Sequence, residues 1–428
     1  MSLPLLPSIV RDRLHRLRAA LDPVRAAERL KPRQERLPDS LRLERHPTEK
    51  SIERIWARLT KDNAAAHASR ELLASQADVA VADCYAKNIE NFAGTIKVPF
   101  GIAGPLRING LNAHGDYFVP LATTEAALVA SYARGALAAT RCGGISAAML
   151  TEGVLRSPAF VFENLLDAGA FIDWIGANEA ALKSAAERTT RYGKLISIEP
   201  YIDGEIVFLL CRYTTGDASG QNIVTIATDA LCRYVIEGCP IKPRNWYVEG
   251  NFSGDKKATF LGLLTGRGRK VTASVVLSGA IIAKYLRTTP KAMLDYARVA
   301  DLGARLNGQV GAQGHYANGL AAFYIATGQD AACVSESSIG STRMEDRGGD
   351  LFMSVTMPNI LVGSVGGGTG LPSQKAALSL LGLDGSHNAA ALAEVVASLC
   401  LCGEISIMAA LSSGQFTSAH DKLARVAK

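Results

Sequence analysis

The sequence has 428 residues, 48% hydrophobic and 20% charged, enough to bury a large core in two or three domains and too apolar to remain disordered. The net charge of +6 is carried by residues 1–62, where 15 Lys/Arg face 9 Asp/Glu. With aromatics at 6% and no basic-aromatic array, composition excludes an extended nucleic-acid surface.

Taken in chain order, residues 1–60 read as helical and polar, punctuated by Pro23, Pro32, Pro38 and Pro47. Their basic surplus is either a solvated helical face or an attraction for an anionic partner. The opening "MSLPLLPSIVRDRLHRLR" places its basic residues after the apolar stretch, the wrong order for a signal peptide. Residues 64–90 read as one further helix. "TIKVPFGIAGPLRING" reads as β structure with turns at Gly-Pro and Asn-Gly. An Ala-rich helix follows from about residue 124, capped by Thr123 or Thr124, which puts Glu125 in its first turn. "KLISIEPYIDGEIVFLLCRYTTG" reads as a hairpin, "NIVTIATDALCRYVIEG" as a helix, and "GRGRKVTASVVLSGAII" begins as a strand. Residues 290–329 are mainly helical by period, and 389–414 form one more long apolar helix. Helix and strand alternate without regular βαβ spacing, which predicts an α+β fold. No run of ~18 uninterrupted apolar residues predicts a membrane span. The eight cysteines are scattered without a C-x-x-C, which predicts reduced thiols in a cytoplasmic protein and no metal site.

Five features could carry chemistry. Glu125 opens an almost uncharged helix; it is either a simple partner of the helix dipole or a buried acid that needs a partner or a raised pKa. Asp255, Lys256 and Lys257 lie in the glycine-flanked loop "EGNFSGDKKATF", either as a loose surface turn or as a cation for a developing alkoxide. Asp330 follows an apolar helix and Gly328, where a plain helix-end turn is the alternative. His420 stands eight residues from the C-terminus, solvated or able to close over a site. Gly366 and Gly367, in "GSVGGGTGLPSQ", form either a connecting loop or a backbone approach to an anion or a flat ring. The last motif is not a Rossmann fingerprint, since it is not G-x-G-x-x-G between a strand and a helix.

Singly these are weak, but their order is specific. "ENFAGTIKVPFGIAGPL", "VPLATTEAALVAS", "GDASGQN", "GNFSGDKKATFLGLLTGRGRKV", "ATGQD", "MPNILVGSVGGGTGL" and "GEISIMAALSSGQF…SAH" resemble successive signatures of the hydroxymethylglutaryl-CoA (HMG-CoA) reductase family, over residues 90–428. The arrangement is closer to the biosynthetic branch shared by eukaryotes and archaea, without a membrane anchor. The resemblance implies reductive deacylation of HMG-CoA to mevalonate and CoA by two hydrides from NADPH, with NADH the lesser alternative. It implies that Lys256 meets the oxyanion, Glu125 donates a proton to the second alkoxide, Asp330 couples the two, and His420 protonates the departing CoA thiolate. A coupled titration of Glu125, Asp330 and Lys256 follows from that assignment.

The same resemblance implies cofactor contacts at Thr190, Arg191, Asp217, Gly220, Asn222, Gly366, Gly367 and Arg425, and substrate contacts at Arg134, Arg156, Asp255 and Lys257. Departures from the family pattern are Glu249 where a serine usually contacts the acyl group, Ala126 after the catalytic acid, and Gln313 and Val334 in place of asparagines. Counting back without gaps from His315 puts the family's substrate lysine at Arg298. These departures keep open a reductase of another acyl-CoA, and beside it a silent CoA- or nucleotide-binding protein. The implied architecture is a helical N-terminal domain (1–89), a large α+β domain around a central helix (90–156 and 261–428), an inserted ferredoxin-like NADP-binding domain (157–247), and a loop (248–260) delivering Lys256. A homodimer with active sites between subunits is also implied, with Lys256 from one chain and the Glu125/Asp330 pair from the other.

Overall fold

The structure is a computed structural model and describes residues 32, 43–61 and 64–414. Two compact units divide the chain, Met1–Glu44 and Arg45–Lys428, and the elements that follow all belong to the second. Helix α1 (Glu49–Thr60) is opened by a capping box in which the Thr48 and Ser51 side chains each accept the other's backbone N–H. It buries Ile52 and Trp56 with Ala82 and Phe92 in a small separate cluster. The single helix expected over 64–90 is instead three pieces. Helix α2 (Ala64–Leu73) stops before Ser75, which caps a short helix at Gln76–Ala80, and a 3₁₀ turn takes Ala82–Tyr85. Ser75 and Asp78 cap each other, and Asp78 also accepts from Thr95, so local side-chain bonds interrupt the helical period.

Strands β1 (Phe100–Gly110) and β2 (His114–Ala122) form an antiparallel pair, followed by α3 (Leu128–Arg141). Strand β3 (Ile145–Arg156) is the hinge of the sheet: its residues 146–153 pair with β8 (Gly268–Leu277), and its last three pair with β6 (Ile206–Thr214). Between them lie β4 (Ala159–Val161), α4 (Leu165–Ala177), α5 (Glu179–Glu187), β5 (Lys194–Asp203), β6, α6 (Gln221–Gly238) and β7 (Asn245–Tyr247). The strands of this segment lie side by side in the order β7-β4-β6-β5, all antiparallel. The expected hairpin is thus β5–β6, and the expected helix after it is α6.

Beyond β8 come α7 (Pro290–Leu306), β9 (Gly311–Ala312), α8 (Tyr316–Thr327), β10 (Gly340–Arg347), β11 (Asp350–Ile360), α9 (Pro372–Leu381) and α10 (Ala389–Ser412). The sheet continues β3-β8-β11-β10-β9, mostly antiparallel, with parallel pairs among the described strands at β1–β3 and β9–β10. Mixed pairing with interspersed helices is α+β, as composition and spacing predict.

Helix α10 is the centre of the core, packed on α3, α7, α8 and the strands β3, β8 and β11. It is long and apolar enough to cross a membrane by composition, but it is buried in the protein core along most of its length. Gly135 sets its distance from α3, because a Cβ there would stand 1.9 Å from the Cys402 carbonyl oxygen. The Tyr132 ring fits the same gap, in contact with Gly319 and Gly403. Two buried acids interrupt this apolar helix, Glu394 and Glu404, both fully buried.

Candidate active site

Lys256 sits on a loop whose backbone turns sharply. Asn251, Gly254 and Lys256 all have positive φ, 63°, 73° and 57°. Gly250 packs where a Cβ would meet Ala159 and Phe208. From this turn the Lys256 Nζ reaches Asp330 Oδ2 at 3.0 Å. Asp330 is itself fixed, since its Oδ1 accepts the Ala332 N–H at 3.0 Å and caps the 3₁₀ turn Ala331–Cys333. The pairing raises the lysine pKa, chiefly through the Asp330 hydrogen bond, against a smaller opposing effect of burial. The lysine is therefore an ammonium at neutral pH, half exposed and ready to meet an anionic oxygen.

Beneath the loop lies a buried ionic network. Asp255 accepts from Arg267 Nη2 at 2.8 Å and from Arg156 Nη1 at 3.2 Å. Arg267 also pairs with Glu336 Oε1 at 2.5 Å, and Glu336 Oε2 accepts the Lys256 backbone N–H. Gln221 Oε1 takes a further bond from Arg267 at 2.8 Å, which ties the start of α6 to this network. Arg156 additionally donates to Glu249 at 3.3 Å, and Glu249 accepts from the Ser157 backbone and the Ser253 hydroxyl. Glu249 is consequently not a free anion facing a ligand; its charge is matched by Arg156. Lys257 is exposed, its Nζ donating to the Asp255 carbonyl at 2.8 Å.

Burial pushes the Glu336 carboxyl up to about 7, against the opposing pull of Arg267 and of the Lys256 amide. Unfolded, it titrates near 4.5. Folding then takes up a proton here between these values, so this group's contribution favours the native state in the acidic part of the window and declines as pH rises through 7. Urea unfolding at about pH 5.5 and 7.5 should show the wild type losing on the order of 1–3 kcal/mol relative to Glu336→Gln. Parallel pH slopes in the two proteins would refute the assignment.

The residues expected at the cofactor come together from three loops. Gly220, in the left-handed region at φ 87°, precedes α6 and supplies no side-chain cap. A Cβ there would strike the Thr215 side chain at 2.2 Å. The 190–193 loop abuts this turn: Thr190 Oγ1 accepts the Gly193 N–H at 3.0 Å, and a Cβ on Gly193 would reach Ile223 at 3.0 Å. The glycine-rich loop abuts it from the other side, with a Cβ on Gly363 only 2.6 Å from the Ser219 nitrogen. Gly366 and Gly367, both at positive φ, face open space, and Arg191 and Asn222 are exposed. An uncapped helix start beside exposed glycine backbone suits the pyrophosphate of a dinucleotide, and Arg191 suits a further phosphate. Asp217 differs from its neighbours: its carboxylate accepts the backbone N–H of His387 at 2.8 Å and Ala389 at 3.3 Å, holding the start of α10.

Glu125 is not in the first turn of a helix and is not buried. Ala127 adopts a left-handed conformation (φ 69°), so α3 begins only at Leu128. Thr123 Oγ1 accepts the Glu125 N–H at 2.9 Å, which leaves the acid exposed on a turn. It lines a cavity of about 500 Å³ with Arg134, His315 and Asn318. Asn318 Nδ2 donates to Glu125 Oε1 at 3.4 Å. Arg134 is pinned to α10 through Ser406, with bonds of 3.1 and 2.9 Å to Oγ and 2.7 Å to the carbonyl. A neighbouring cavity of about 770 Å³ contains Arg298 and Gln313. Gln313 accepts the Tyr316 N–H at 3.1 Å, and Arg298 donates to Asp295 at 3.2 Å.

Two expectations are therefore corrected. Within the chain Asp330 does not pair with Glu125; it holds Lys256. Nor do the three form one connected set within a chain: among the described residues no hydrogen bond or ion pair joins Glu125 to Lys256 or Asp330. His420 and Arg425 lie outside the described residues.

Sequence reasoning missed Glu336, Arg267 and Glu404. Glu404 accepts from the backbone N–H groups of Gly314 at 2.8 Å and His315 at 2.9 Å and from the Thr342 hydroxyl at 2.7 Å. His315 Nδ1 lies 3.3 Å from the same carboxylate, which sets the ring that lines the Glu125 cavity. The available signal was an acid inside an apolar run, the criterion applied to Glu125 alone.

The sequence model for hydroxymethylglutaryl-coenzyme A reductase matches residues 53–425. The chain is 43% identical over 350 residues to the 3-hydroxy-3-methylglutaryl-coenzyme A reductase of Aeropyrum pernix, covering 80% of this chain and 83% of that protein. With the enzyme of the same name from Methanocaldococcus jannaschii it shares 42% over 346 residues, covering 79% and 85%. Among solved structures it resembles the class II 3-hydroxy-3-methylglutaryl-CoA reductase of Streptococcus pneumoniae bound to NADPH in open conformations, with a TM-score of 0.62, 20% identity, and 85% of this chain and 96% of that one covered. The collinear motifs, the lysine–aspartate pair and these matches agree: the chain belongs to the hydroxymethylglutaryl-coenzyme A reductase family.

Proposed function

We propose that this protein reduces HMG-CoA to mevalonate and CoA with NADPH. The observation that carries the reading is the Lys256–Asp330 pair, a fixed ammonium beside three converging loops of dinucleotide-binding character. NADPH would be held at Thr190, Arg191, Gly220, Asn222, Gly366 and Gly367 and would supply both hydrides. Lys256 meets the oxyanion that forms when the thioester carbonyl is reduced and again when the aldehyde is reduced. Asp330 keeps the lysine protonated and aimed. His420 gives the proton that the departing thiolate needs, and Glu125 protonates the final alkoxide. Arg134 contacts CoA, and Arg156, Asp255 and Lys257 frame the acyl end, Arg156 and Asp255 by shaping the loop and Lys257 by direct charge. Glu249, matched by Arg156, removes the main objection to a carboxylate-bearing acyl group.

The assembly we propose is a homodimer in which the cavity of Glu125, His315 and Asn318 faces the Lys256 loop of the partner protomer. Residues 157–247 then form the inserted ferredoxin-like cofactor domain, a reading supported by the strand order β7-β4-β6-β5 and by helices between the strands in a βααββαβ sequence. The eight free cysteines suit a cytoplasmic setting. Mixing Glu125→Gln with Lys256→Met protein tests both chemistry and assembly. Each variant alone should be inactive on HMG-CoA, and the mixture should regain up to about a quarter of wild-type turnover through hybrid dimers. Absence of restored activity in a mixture shown to exchange subunits would reject the shared site, and turnover of a different acyl-CoA in place of HMG-CoA would reject the substrate.

A further inference from the structure

We propose that Glu336 is a positioning residue for Lys256: its carboxylate holds the Lys256 peptide N–H and, with Arg267, fixes the left-handed turn that sends the lysine side chain to Asp330. The proposal rests on the reading of Lys256 as the cation of the reaction. Lys256 has φ 57°, a conformation that is unfavourable for a residue with a side chain and persists only where the surroundings enforce it. Here they do so from both sides. Asp255, the preceding residue, is clamped by Arg267 at 2.8 Å and Arg156 at 3.2 Å, and the following Lys257 N–H bonds the Gly254 carbonyl at 3.1 Å. Between them the Lys256 N–H is taken by Glu336, which Arg267 holds at 2.5 Å and which is fully buried.

The geometry has a second consequence. Asp330 and Glu336 belong to one short segment, Asp330 capping the 3₁₀ turn Ala331–Cys333 and Glu336 lying on the helical turn Val334–Ser337 that follows it. This segment grips Lys256 by both ends, Nζ through Asp330 and the peptide nitrogen through Glu336. Asn359 Nδ2 donates to the Glu336 carbonyl at 3.1 Å and its Oδ1 accepts the Arg267 N–H at 2.7 Å, so both anchors are tied to the end of β11. Without the Glu336 carboxylate, the loop relaxes to a commoner backbone region and the ammonium leaves Asp330.

Glu336→Gln keeps the shape but offers one acceptor oxygen where the carboxylate has two, so the Arg267 guanidinium and the Lys256 N–H can no longer both be satisfied. In steady-state assays of the full-length enzyme with HMG-CoA and NADPH, kcat should fall about 10- to 100-fold with KM within about threefold. The alkaline limb of the kcat profile should also move to lower pH, because Lys256 loses the partner that raises its pKa. The other charged or titratable groups here, Asp255 and Cys333 facing both residues and Arg267 facing Glu336, are the same in both proteins. A folded variant with wild-type kcat and profile, or with a change in KM alone, overturns the proposal. Should the variant not fold, hydrogen exchange in the wild type decides: a Lys256 amide protected at least about 100-fold over a random coil supports the anchor, and unprotected exchange overturns it. Lys256→Ala run in parallel separates the two ideas. If it retains turnover, the role given to Lys256 fails, and amide exchange alone then judges the hold of Glu336.

Discussion

Lys256→Met should reduce kcat on HMG-CoA by at least about 10²–10³-fold, and reduction of the free aldehyde by a comparable factor, while leaving the fold intact. Both hydride transfers put negative charge on one oxygen, and removing a preorganised donor to such an oxygen typically has this effect. The side chain is 45% exposed, so its loss opens no cavity, and Asp330 keeps its bond to the Ala332 amide and access to water. The Lys256–Asp330 pair adds little to stability because both partners are solvated. With Asp330 ionised, what it adds is present at pH values below the lysine's unfolded pKa of 10.5 and is lost as pH rises through the raised folded value. NADPH consumption with each substrate, beside a thermal melt, checks this. Turnover of either substrate near the wild-type rate would remove the oxyanion role.

Glu394→Leu should destabilise the native state by about 3–5 kcal/mol. The carboxylate stands inside the central helix α10 with no exposed surface and accepts four hydrogen bonds. Three come from backbone N–H groups, Asn112 at 2.9 Å, Ala113 at 2.7 Å and Met149 at 3.0 Å, and one from the Asn112 side chain at 2.7 Å. A leucine fills the volume and takes the acceptor from all four donors, of which the Ala113 amide is buried. The β1–β2 turn lies directly against the acid, since a Cβ on Gly110 would approach Oε2 to 2.3 Å, so the strand pair loses its attachment to the core. Denaturant unfolding with an unchanged m-value is the measurement. A loss below about 1 kcal/mol would mean that water reaches these amides.

Local pattern made much of this protein readable. The β5–β6 hairpin, α6, β8 and α10 follow from periods of two and 3.6 residues and from Gly and Asn at the turns, which act over a few neighbouring positions. The order of the motifs identified Lys256 and Asp330, and the structure brings them together. The placement of Glu125 was not readable, because one left-handed residue, Ala127, delays the helix by three positions, and nothing in the composition of an Ala-rich run announces that. The break after α2 depends on the mutual capping of Ser75 and Asp78, a side-chain competition that periodicity does not register.

What the sequence by itself determined is the set of chemical groups, their order, the elements that carry them and the family they belong to. The tertiary structure alone decided which charges face one another. Glu336 meets the Lys256 amide across 80 positions, Glu404 meets His315 across 89, and Glu394 meets Asn112 across 282. An acid within an apolar run must find donors once it is buried, and that much is legible from the residues. Which donors it finds is set by how helices and strands close on each other, and contacts at such separations leave no trace in local periodicity.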